Sequence, residues 1–148
     1  MVYNRSPIQG ADGGMNRVYD WKNVPADISK YRGFVYCITN LKTDQYYIGK
    51  KFFHSMLTRK PLKGRKNKRH ELVESNWQDY WGSCRRLQED IQKYGKDNFK
   101  REILICCESK FELAYQEAKI QFEMEVLFDP LSYNELINIR LRKRKAKK

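Results

Sequence analysis

The chain has 148 residues, of which 41% are hydrophobic and 14% aromatic, so it can form one compact domain and is not globally disordered. No apolar run approaches the length of a membrane-spanning helix, and residues 1–14 lack the apolar centre of a signal peptide. We therefore expect a soluble, cytoplasmic protein whose net charge of +12 favours an anionic partner over a membrane.

The cysteines do not predict a metal site. Four are present, but none forms a CxxC pair, and the chain has only two histidines. We expect these four residues to be reduced thiols in or near the core. They are Cys37, Cys84, Cys106 and Cys107.

The basic residues are concentrated in two stretches. Residues 50–70 contain nine Lys or Arg residues and no acid, and residues 140–148 contain seven more, again without an acid. Such clusters neutralise phosphates with release of counterions. Neither stretch has the apolar helical face that a membrane surface requires. We expect a nucleic-acid partner; the alternative is a solvated surface that only aids solubility.

The chain divides by composition into three parts. Residues 1–29 predict a loosely structured N-terminal lead-in, residues 30–139 a single folded domain and residues 140–148 a basic tail. Three apolar or aromatic residues could attach the second half of the lead-in to the domain: Val18, Tyr19 and Trp21.

The domain begins with a predicted hairpin. Residues 34–39 form an apolar, β-branched and aromatic run typical of a strand, and residues 46–49 form a second strand that continues into residues 50–53. The polar loop of residues 40–45 joins them and predicts antiparallel pairing. Residues 58–69 then predict a basic loop, because they suit neither a helix nor a strand.

A helix is predicted after the basic loop. Ser83 is placed to cap it and Tyr94 to lie near its end, with Leu87 and Ile91 four apart on the buried face. Gly95 is placed to end the helix in the left-handed conformation.

A third strand and a long helix complete the prediction. Residues 99–107 alternate and then become wholly apolar, which predicts a strand at the centre of the sheet. Ser109 and Glu112 form a capping box for a helix over residues 110–128. The predicted buried stripe of this helix consists of Phe111, Ala114, Ala118, Phe122 and Val126.

Two tyrosines of the hairpin are candidate site residues. Tyr36 and Tyr47 lie on adjacent predicted strands, close enough to place both hydroxyls on one rim of the sheet, and Lys50 and Lys51 follow at once. Cleavage of a phosphodiester needs an aligned water, cations for the phosphate and usually a metal held by an acid. A strand tyrosine taken alone is more commonly a packing residue.

These residues, in this order, resemble a known family. Residues 34–36, ten intervening residues and then residues 47–49 resemble the signature of the GIY-YIG nucleases, with Phe-Val in place of the usual Gly-Ile. Glu117 occupies the position of the family's metal-binding glutamate, on the helix after the third strand. The pair at residues 133–134 matches its Tyr-Asn pair. The resemblance covers about a hundred residues and extends to phage homing enzymes.

The resemblance implies a fold and a reaction. The fold is α+β, a small GIY-YIG-like domain with a three-stranded antiparallel sheet flanked by helices. The reaction is hydrolysis of DNA phosphodiester bonds with one Mg²⁺ (or Mn²⁺) ion held by Glu117. Tyr36 would deprotonate or orient the attacking water, Tyr47 would help to place it, and Asn134 would fix the local geometry.

The phosphate-binding cation departs from the family pattern. The family has an arginine about ten residues after the second tyrosine, where this chain has Leu57. Arg59 and Lys51 are the candidates for its role. Binding of the DNA backbone is assigned to the basic stretch, at Lys50, Lys51, Lys60, Lys63, Arg65, Lys66, Lys68 and Arg69.

The position of Glu117 in the predicted helix also suits a site residue, independently of the resemblance. It follows Leu113 by four residues and precedes Ile120 by three, which places it at the edge of the buried face. An acid there is costly unless it is used or paired. The other acids of this helix read as ordinary solvated residues: Glu112, Glu123 and Glu125.

The function predicted from the sequence is a phage homing-type or loosely specific endonuclease, working in the bacterial host cytoplasm if a virus encodes it. Three alternatives stay open at this stage. They are a catalytically idle DNA-binding module with the same fold, a repair or recombination nuclease that recognises DNA structure, and a basic structural protein.

Overall fold

The computed structural model describes residues 17–144, and a three-stranded antiparallel sheet lies at its centre. The strands β1 (Gly33–Asn40), β2 (Tyr46–Phe52) and β5 (Phe99–Cys107) are arranged in the order β2-β1-β5. The helices α1 (Arg85–Tyr94) and α2 (Lys110–Glu123) pack on it. The predicted α+β fold and its first hairpin are therefore confirmed.

Alternation along β1 produces two cores, one on each face of the sheet. Phe34, Tyr36 and Ile38 face one side, where they pack with Leu87 and Ile91 of α1. The residues between them face the other side and pack against α2. A strand with both faces covered has a continuous apolar run and no alternation, as β1 has over residues 34–38.

The third strand is not central as predicted. β1 occupies the centre, and β5 lies at an edge of the sheet. Val35 pairs with Ile105 and Tyr36 with Ile103, so Leu104 is an extra residue at a β-bulge. The bulge interrupts the alternation of β5, which is why three successive residues are apolar without the strand being central.

Residues 58–69 do not form a simple loop. Strands β3 (His54–Arg59) and β4 (Arg69–Glu74) pair as a separate two-stranded antiparallel ribbon, and only residues 60–68 form the loop between them. These residues show no periodic apolar pattern because neither face of the ribbon is buried.

The helices differ from prediction at their ends. The N-cap of α1 is Cys84 and not Ser83. Gly95 ends the helix at the predicted position and with a positive φ of +88°, but its ψ of 149° is extended, so the predicted left-handed conformation is wrong. Helix α2 begins with Ser109 accepting from the Glu112 backbone N–H, as predicted, but ends at Glu123 and not at residue 128.

The predicted apolar stripe of α2 is rotated relative to the observed buried face. The residues of the helix that are buried are Leu113, Ala118, Ile120 and Gln121. Phe122, which was predicted to be buried, is 59% exposed. Since Glu117 lies between Leu113 and Ile120, the observed rotation turns it towards the sheet.

The N-terminal part of the described chain packs on the sheet. Trp21 and Val24 contact the α1-side core, and the backbone of Lys22 bonds to β5 at Arg101 and Ile103. Residues 1–16 of the lead-in and 145–148 of the tail lie outside the described residues. Within residues 17–144 no helix is long and apolar enough to cross a membrane.

All four cysteines lie among the described residues and none is in a disulfide. Cys37 and Cys107 are buried, and Cys84 and Cys106 are partly buried. This is the placement expected for reduced thiols in or near the core.

Candidate active site

Tyr36 lies in the central strand and is almost wholly buried. It is 1% exposed, and its ring meets Trp21 and Tyr80 edge-on at centroid distances of 5.6 and 6.0 Å. Burial, followed by the neighbouring Tyr80 and Tyr47, raises the pKa of Tyr36 well above its ordinary value. Its hydroxyl therefore stays protonated at neutral pH and is suited to donating a hydrogen bond, not to removing a proton.

Two glycines make room for the Tyr36 hydroxyl. Gly49 pairs with Tyr36 across the hairpin, and a Cβ at Gly49 would lie 2.6 Å from the hydroxyl oxygen. Gly82 lies on the other side with a φ of +84°, and a Cβ there would lie 3.4 Å from the same oxygen. Position 49 therefore requires glycine, because any side chain there would collide with the ring and hydroxyl of Tyr36.

Tyr47 is half-buried and is the tyrosine that reaches the surface cleft. Its ring centroid lies 6.2 Å from that of Tyr36, and its hydroxyl is hydrogen-bonded to Ser83. Burial raises its pKa, although the bond to Ser83 acts in the opposite direction. The use of the Ser83 hydroxyl by Tyr47 explains why the next residue caps α1.

Glu117 and Lys50 form an ion pair at the outer edge of β2. The Lys50 ammonium donates to a Glu117 carboxylate oxygen at 3.2 Å, and the two side chains are 34% and 15% exposed. The negative charge of Glu117 contributes to raising the pKa of both Tyr36 and Tyr47. The glutamate and the two tyrosines therefore lie within electrostatic range of one another.

Asn134 holds the backbone of β2 in place. Its amide accepts from the Ile48 N–H at 3.0 Å and donates to the Ile48 carbonyl at 2.9 Å. Gln121 of α2 donates to the same carbonyl at 3.0 Å. Ile48 lies between Tyr47 and Gly49, the glycine that makes room for Tyr36. These bonds therefore fix the part of β2 that positions both tyrosines.

The segment containing Asn134 is itself tied to the edge of β2. Tyr46 accepts from and donates to the backbone of residues 131–133, with N···O distances of 2.9 and 2.7 Å. The Tyr133 hydroxyl donates to Asp90 of α1 at 2.7 Å and accepts from Asn40 at 3.1 Å. The Tyr-Asn pair thus joins α1, β1 and β2.

These elements enclose a cleft of about 410 Å³ at the β2 edge. It lies between the start of α1, the middle of α2 and the return segment after α2. Its lining is mixed, with charged, amide and hydroxyl groups: Tyr47, Lys50, Ser83, Cys84, Arg85, Glu117, Gln121, Tyr133, Asn134, Glu135, Leu136 and Asn138.

The two cations predicted for the phosphate role do not line this cleft. Arg59 lies at the far end of β3, where it is paired with Glu71 and half exposed. Lys51 lies on the face of β2 opposite to that of Lys50, with its ammonium 4.4 Å from the centre of the Tyr80 ring, and burial lowers its pKa. The cations at the cleft are Lys50 and Arg85.

The donor groups suit a hydrated magnesium ion. Among residues 17–144 no three His, Cys, Asp or Glu residues come together as a metal cluster, so an all-protein cage is not available. Mg²⁺ usually keeps several waters and is held by one or two carboxylates plus substrate phosphates. A single half-enclosed carboxylate at Glu117, facing an open cleft, fits that mode.

Sequence reasoning missed several residues that complete the site. Tyr80 and Gly82 surround the Tyr36 hydroxyl, Ser83 holds Tyr47, and Gln121 shares the Ile48 carbonyl with Asn134. The signal for the first three was the aromatic turn before α1, where a glycine follows two aromatic residues. Gln121 had no signal, since an amide on a helix is usually solvated.

The chain was compared with known proteins. A family model described as "Putative endonuclease segE, GIY-YIG domain" matches residues 18–137. No curated protein and no solved structure shows a significant match. The matched range contains every residue described above at the cleft except Asn138. The chain therefore belongs to the segE-type GIY-YIG family, whose domain is that of a phosphodiester-hydrolysing endonuclease.

Proposed function

We propose that this chain is a metal-dependent DNA endonuclease and that the β2-edge cleft is its catalytic site. The observation that carries the proposal is the meeting of Tyr47, Lys50 and Glu117 on a strand edge that Asn134 pins in place. A hydroxyl, a cation and a carboxylate in one open cleft are the groups that water-mediated cleavage of a phosphodiester requires.

Glu117 is the residue that would hold Mg²⁺ or Mn²⁺. The ion, when bound there, supplies positive charge to the phosphate and to the departing oxygen. Lys50 now pairs with Glu117 at 3.2 Å. In the complex with DNA we expect its ammonium to turn to the phosphate, with Arg85 as the second cation at the cleft.

The tyrosines differ in their roles. Tyr47 faces the cleft, so its hydroxyl orients the attacking water, while Ser83 fixes the direction of that hydroxyl. Tyr36 is enclosed by Gly49, Gly82 and Tyr80 and acts behind Tyr47. Because burial raises its pKa, we assign Tyr36 to positioning and not to proton abstraction.

Lys51 supports the tyrosines from their own face of β2, the face opposite to that of Lys50. Its ammonium over the Tyr80 ring stabilises the aromatic that is hydrogen-bonded to Tyr36. Arg59 is assigned to DNA binding outside the cleft. The homing or loosely specific character, and a viral origin in a bacterial host, are part of the proposal and rest on the family resemblance alone.

The test is incubation of the purified protein with supercoiled and linear DNA, with Mg²⁺, with Mn²⁺ and with EDTA. We expect cleavage only with metal, and its loss in Glu117→Ala. Glu123→Ala is the matched control, because Glu123 lies on the same helix at 59% side-chain exposure. If the wild type binds DNA but cuts none of these substrates with either metal, the chain is an idle binding module and the proposal is wrong.

A further inference from the structure

We propose that the β3–β4 ribbon (His54–Arg59 and Arg69–Glu74, with the loop of residues 60–68) is a DNA-reading arm that lies in the major groove of duplex DNA. The inference rests on the proposed nuclease function and assigns a second contact surface to the same substrate. It concerns binding and register on the DNA, while the cleft carries out the cleavage.

The ribbon has no core of its own. From residue 55 to residue 74 every residue except Pro61 and Val73 is exposed, including the large apolar side chains of Met56 and Leu72 at 53% and 52%. A two-stranded ribbon without a covered face is at best marginally stable in water. A partner that covered one face of the ribbon would supply the packing that the ribbon lacks.

The base of the ribbon is fixed to the domain. Phe53, the residue before β3, is wholly buried against Phe34 and Trp77. Ser75, directly after β4, donates its backbone N–H to the Phe53 carbonyl at 2.8 Å and its hydroxyl to the Phe52 carbonyl at 2.6 Å. The ribbon therefore extends from the end of β2 on a base that the core holds in place.

The charge of the ribbon is complementary to DNA. Residues 54–74 contain seven Lys or Arg residues and two acids. Arg59 and Arg69 face each other as a cross-strand pair, and the ion pair of Arg59 with Glu71 offsets their repulsion only in part. A DNA phosphate between the two guanidinium groups would lower the repulsion that remains. Binding of a polyanion would therefore stabilise the ribbon.

The dimensions of the ribbon select the major groove. Two paired strands lie about 4.8 Å apart and a sheet with its side chains is about 10 Å thick. The major groove of B-form DNA is about 12 Å wide and admits such a ribbon, whereas the minor groove, at about 6 Å, would have to be deformed to accept it. The deep, narrow major groove of duplex RNA excludes it.

One face of the ribbon carries groups that suit base edges. Beyond the pair His54 with Glu74 at the base of the ribbon, the cross-strand pairs on this face are Met56 with Leu72 and Thr58 with His70. Apolar side chains contact thymine methyl groups, and hydroxyl and imidazole groups exchange hydrogen bonds with base edges. The opposite face ends in the two arginines, which suit the phosphates.

The first test compares two variants of equal charge. The arm variant replaces Lys60, Lys63, Lys66 and Lys68 by Gln, and the control variant replaces Lys30, Lys42, Lys93 and Lys119, which are equally exposed. Binding to a linear duplex is measured in EDTA across a salt series. We expect the arm variant to lose at least about tenfold in affinity and to lower the slope of log K against log salt by about 2 to 4, with much smaller changes in the control. Equal losses in the two variants would overturn the proposal.

The second test locates the groove. Guanine N7 methylation blocks the major groove, and netropsin occupies the minor groove. We expect N7 methylation to weaken binding of the wild type and not of a Met56→Ser/Leu72→Ser variant, and netropsin to have little effect on either. Netropsin competition, or equal binding of a duplex RNA of the same sequence, would contradict a major-groove arm.

The two proposals fail in different ways. A wild type that never cuts but shows the arm-dependent binding disproves the nuclease and keeps the arm. A wild type that cuts, with an arm variant of unchanged affinity and salt slope, disproves the arm and keeps the nuclease.

Discussion

The β2-edge cleft and the β3–β4 ribbon are separated by only a few residues of chain, yet they are built in opposite ways. Around the cleft, backbone and side chains are fixed by bonds such as those of Asn134 and Gln121 to Ile48. In the ribbon nearly every side chain is exposed, and the backbone pairing of β3 with β4 is what mainly holds it together. Chemistry requires groups held to fractions of an ångström, whereas the binding of a long polyanion tolerates movement.

The same contrast appears in how each region uses charge. At the cleft the part-buried carboxylate of Glu117 is paired with Lys50, so each of these two charges has a defined partner. The ribbon contains seven cations that mostly face water. Substitutions at the cleft should therefore act on rate or stability, and substitutions in the ribbon on affinity. The following tests address the cleft side, from the largest expected effect to the smallest.

Tyr47→Phe removes the hydroxyl that reaches the cleft. We expect the cleavage rate to fall by about 10² to 10³, because a positioned proton-transfer or orienting group contributes on this scale. Thermal unfolding should change little, since the ring stays in place. Tyr115→Phe is the matched control at 49% exposure on α2. An unchanged rate in Tyr47→Phe would remove this tyrosine from the mechanism.

Gly49→Ala places a methyl group 2.6 Å from the Tyr36 hydroxyl. We expect a loss of about 3 kcal/mol in the free energy of unfolding, because overpacking forces the ring or the strand to move. Urea denaturation measures this loss. Gly64→Ala in the ribbon loop has a φ of +84° but open space around it, so backbone strain of about 1 kcal/mol is its only cost. Equal losses at the two sites would show that the enclosure of Tyr36 is not tight.

Asn134→Ala removes both bonds to the Ile48 backbone. We expect a loss of about 2 kcal/mol in unfolding free energy, since a buried N–H and a carbonyl lose partners, although Gln121 still serves the carbonyl. Asn67→Ala, in the exposed ribbon loop, should change stability by less than about 0.5 kcal/mol. A stable Asn134→Ala variant would show that β2 is held by its other contacts.

Stability should fall at alkaline pH. Burial raises the pKa of the Cys37 thiol to about 11, and burial also raises the pKa of Tyr36. A raised pKa in the folded state stabilises the protein below the unfolded-state pKa, and this stabilisation is lost as the pH rises. For Cys37 we expect a loss of about 1 kcal/mol between pH 8 and pH 10. Urea midpoints across this range measure it, and Cys37→Ala should flatten the profile; a profile equally steep in that variant would contradict the assignment.

The sequence predicted those parts of the fold that have a buried face. β1 and β2 were found from their apolar and aromatic runs, and α1 from the four-residue spacing of Leu87 and Ile91 on its buried face. The ribbon was missed because an element exposed on both faces has neither signal. The bulge at Leu104 could not be predicted either. Its extra residue interrupts the alternation of β5, so the apolar run resembled that of a central strand covered on both faces.

The site divides in a similar way. The proximity of Tyr47, Glu117 and Asn134 could be predicted, because the family resemblance implies one site for them, while their roles stay a prediction. Tyr80, Gly82 and Gln121 could not, because they act through distances between elements far apart in sequence. The cation was the least predictable part. Lys50 lies next to Lys51, and only the pleat of β2 decides which of them faces Glu117.

The most direct measurement is the single-turnover rate constant for DNA cleavage at saturating protein and Mg²⁺. It is compared among the wild type, Glu117→Gln and the variant with four ribbon lysines replaced. We expect Glu117→Gln to lose the rate by at least about a thousandfold while binding DNA as the wild type does, and the ribbon variant to keep the rate within about threefold. Full cleavage by Glu117→Gln would contradict the assignment of the cleft as the catalytic site.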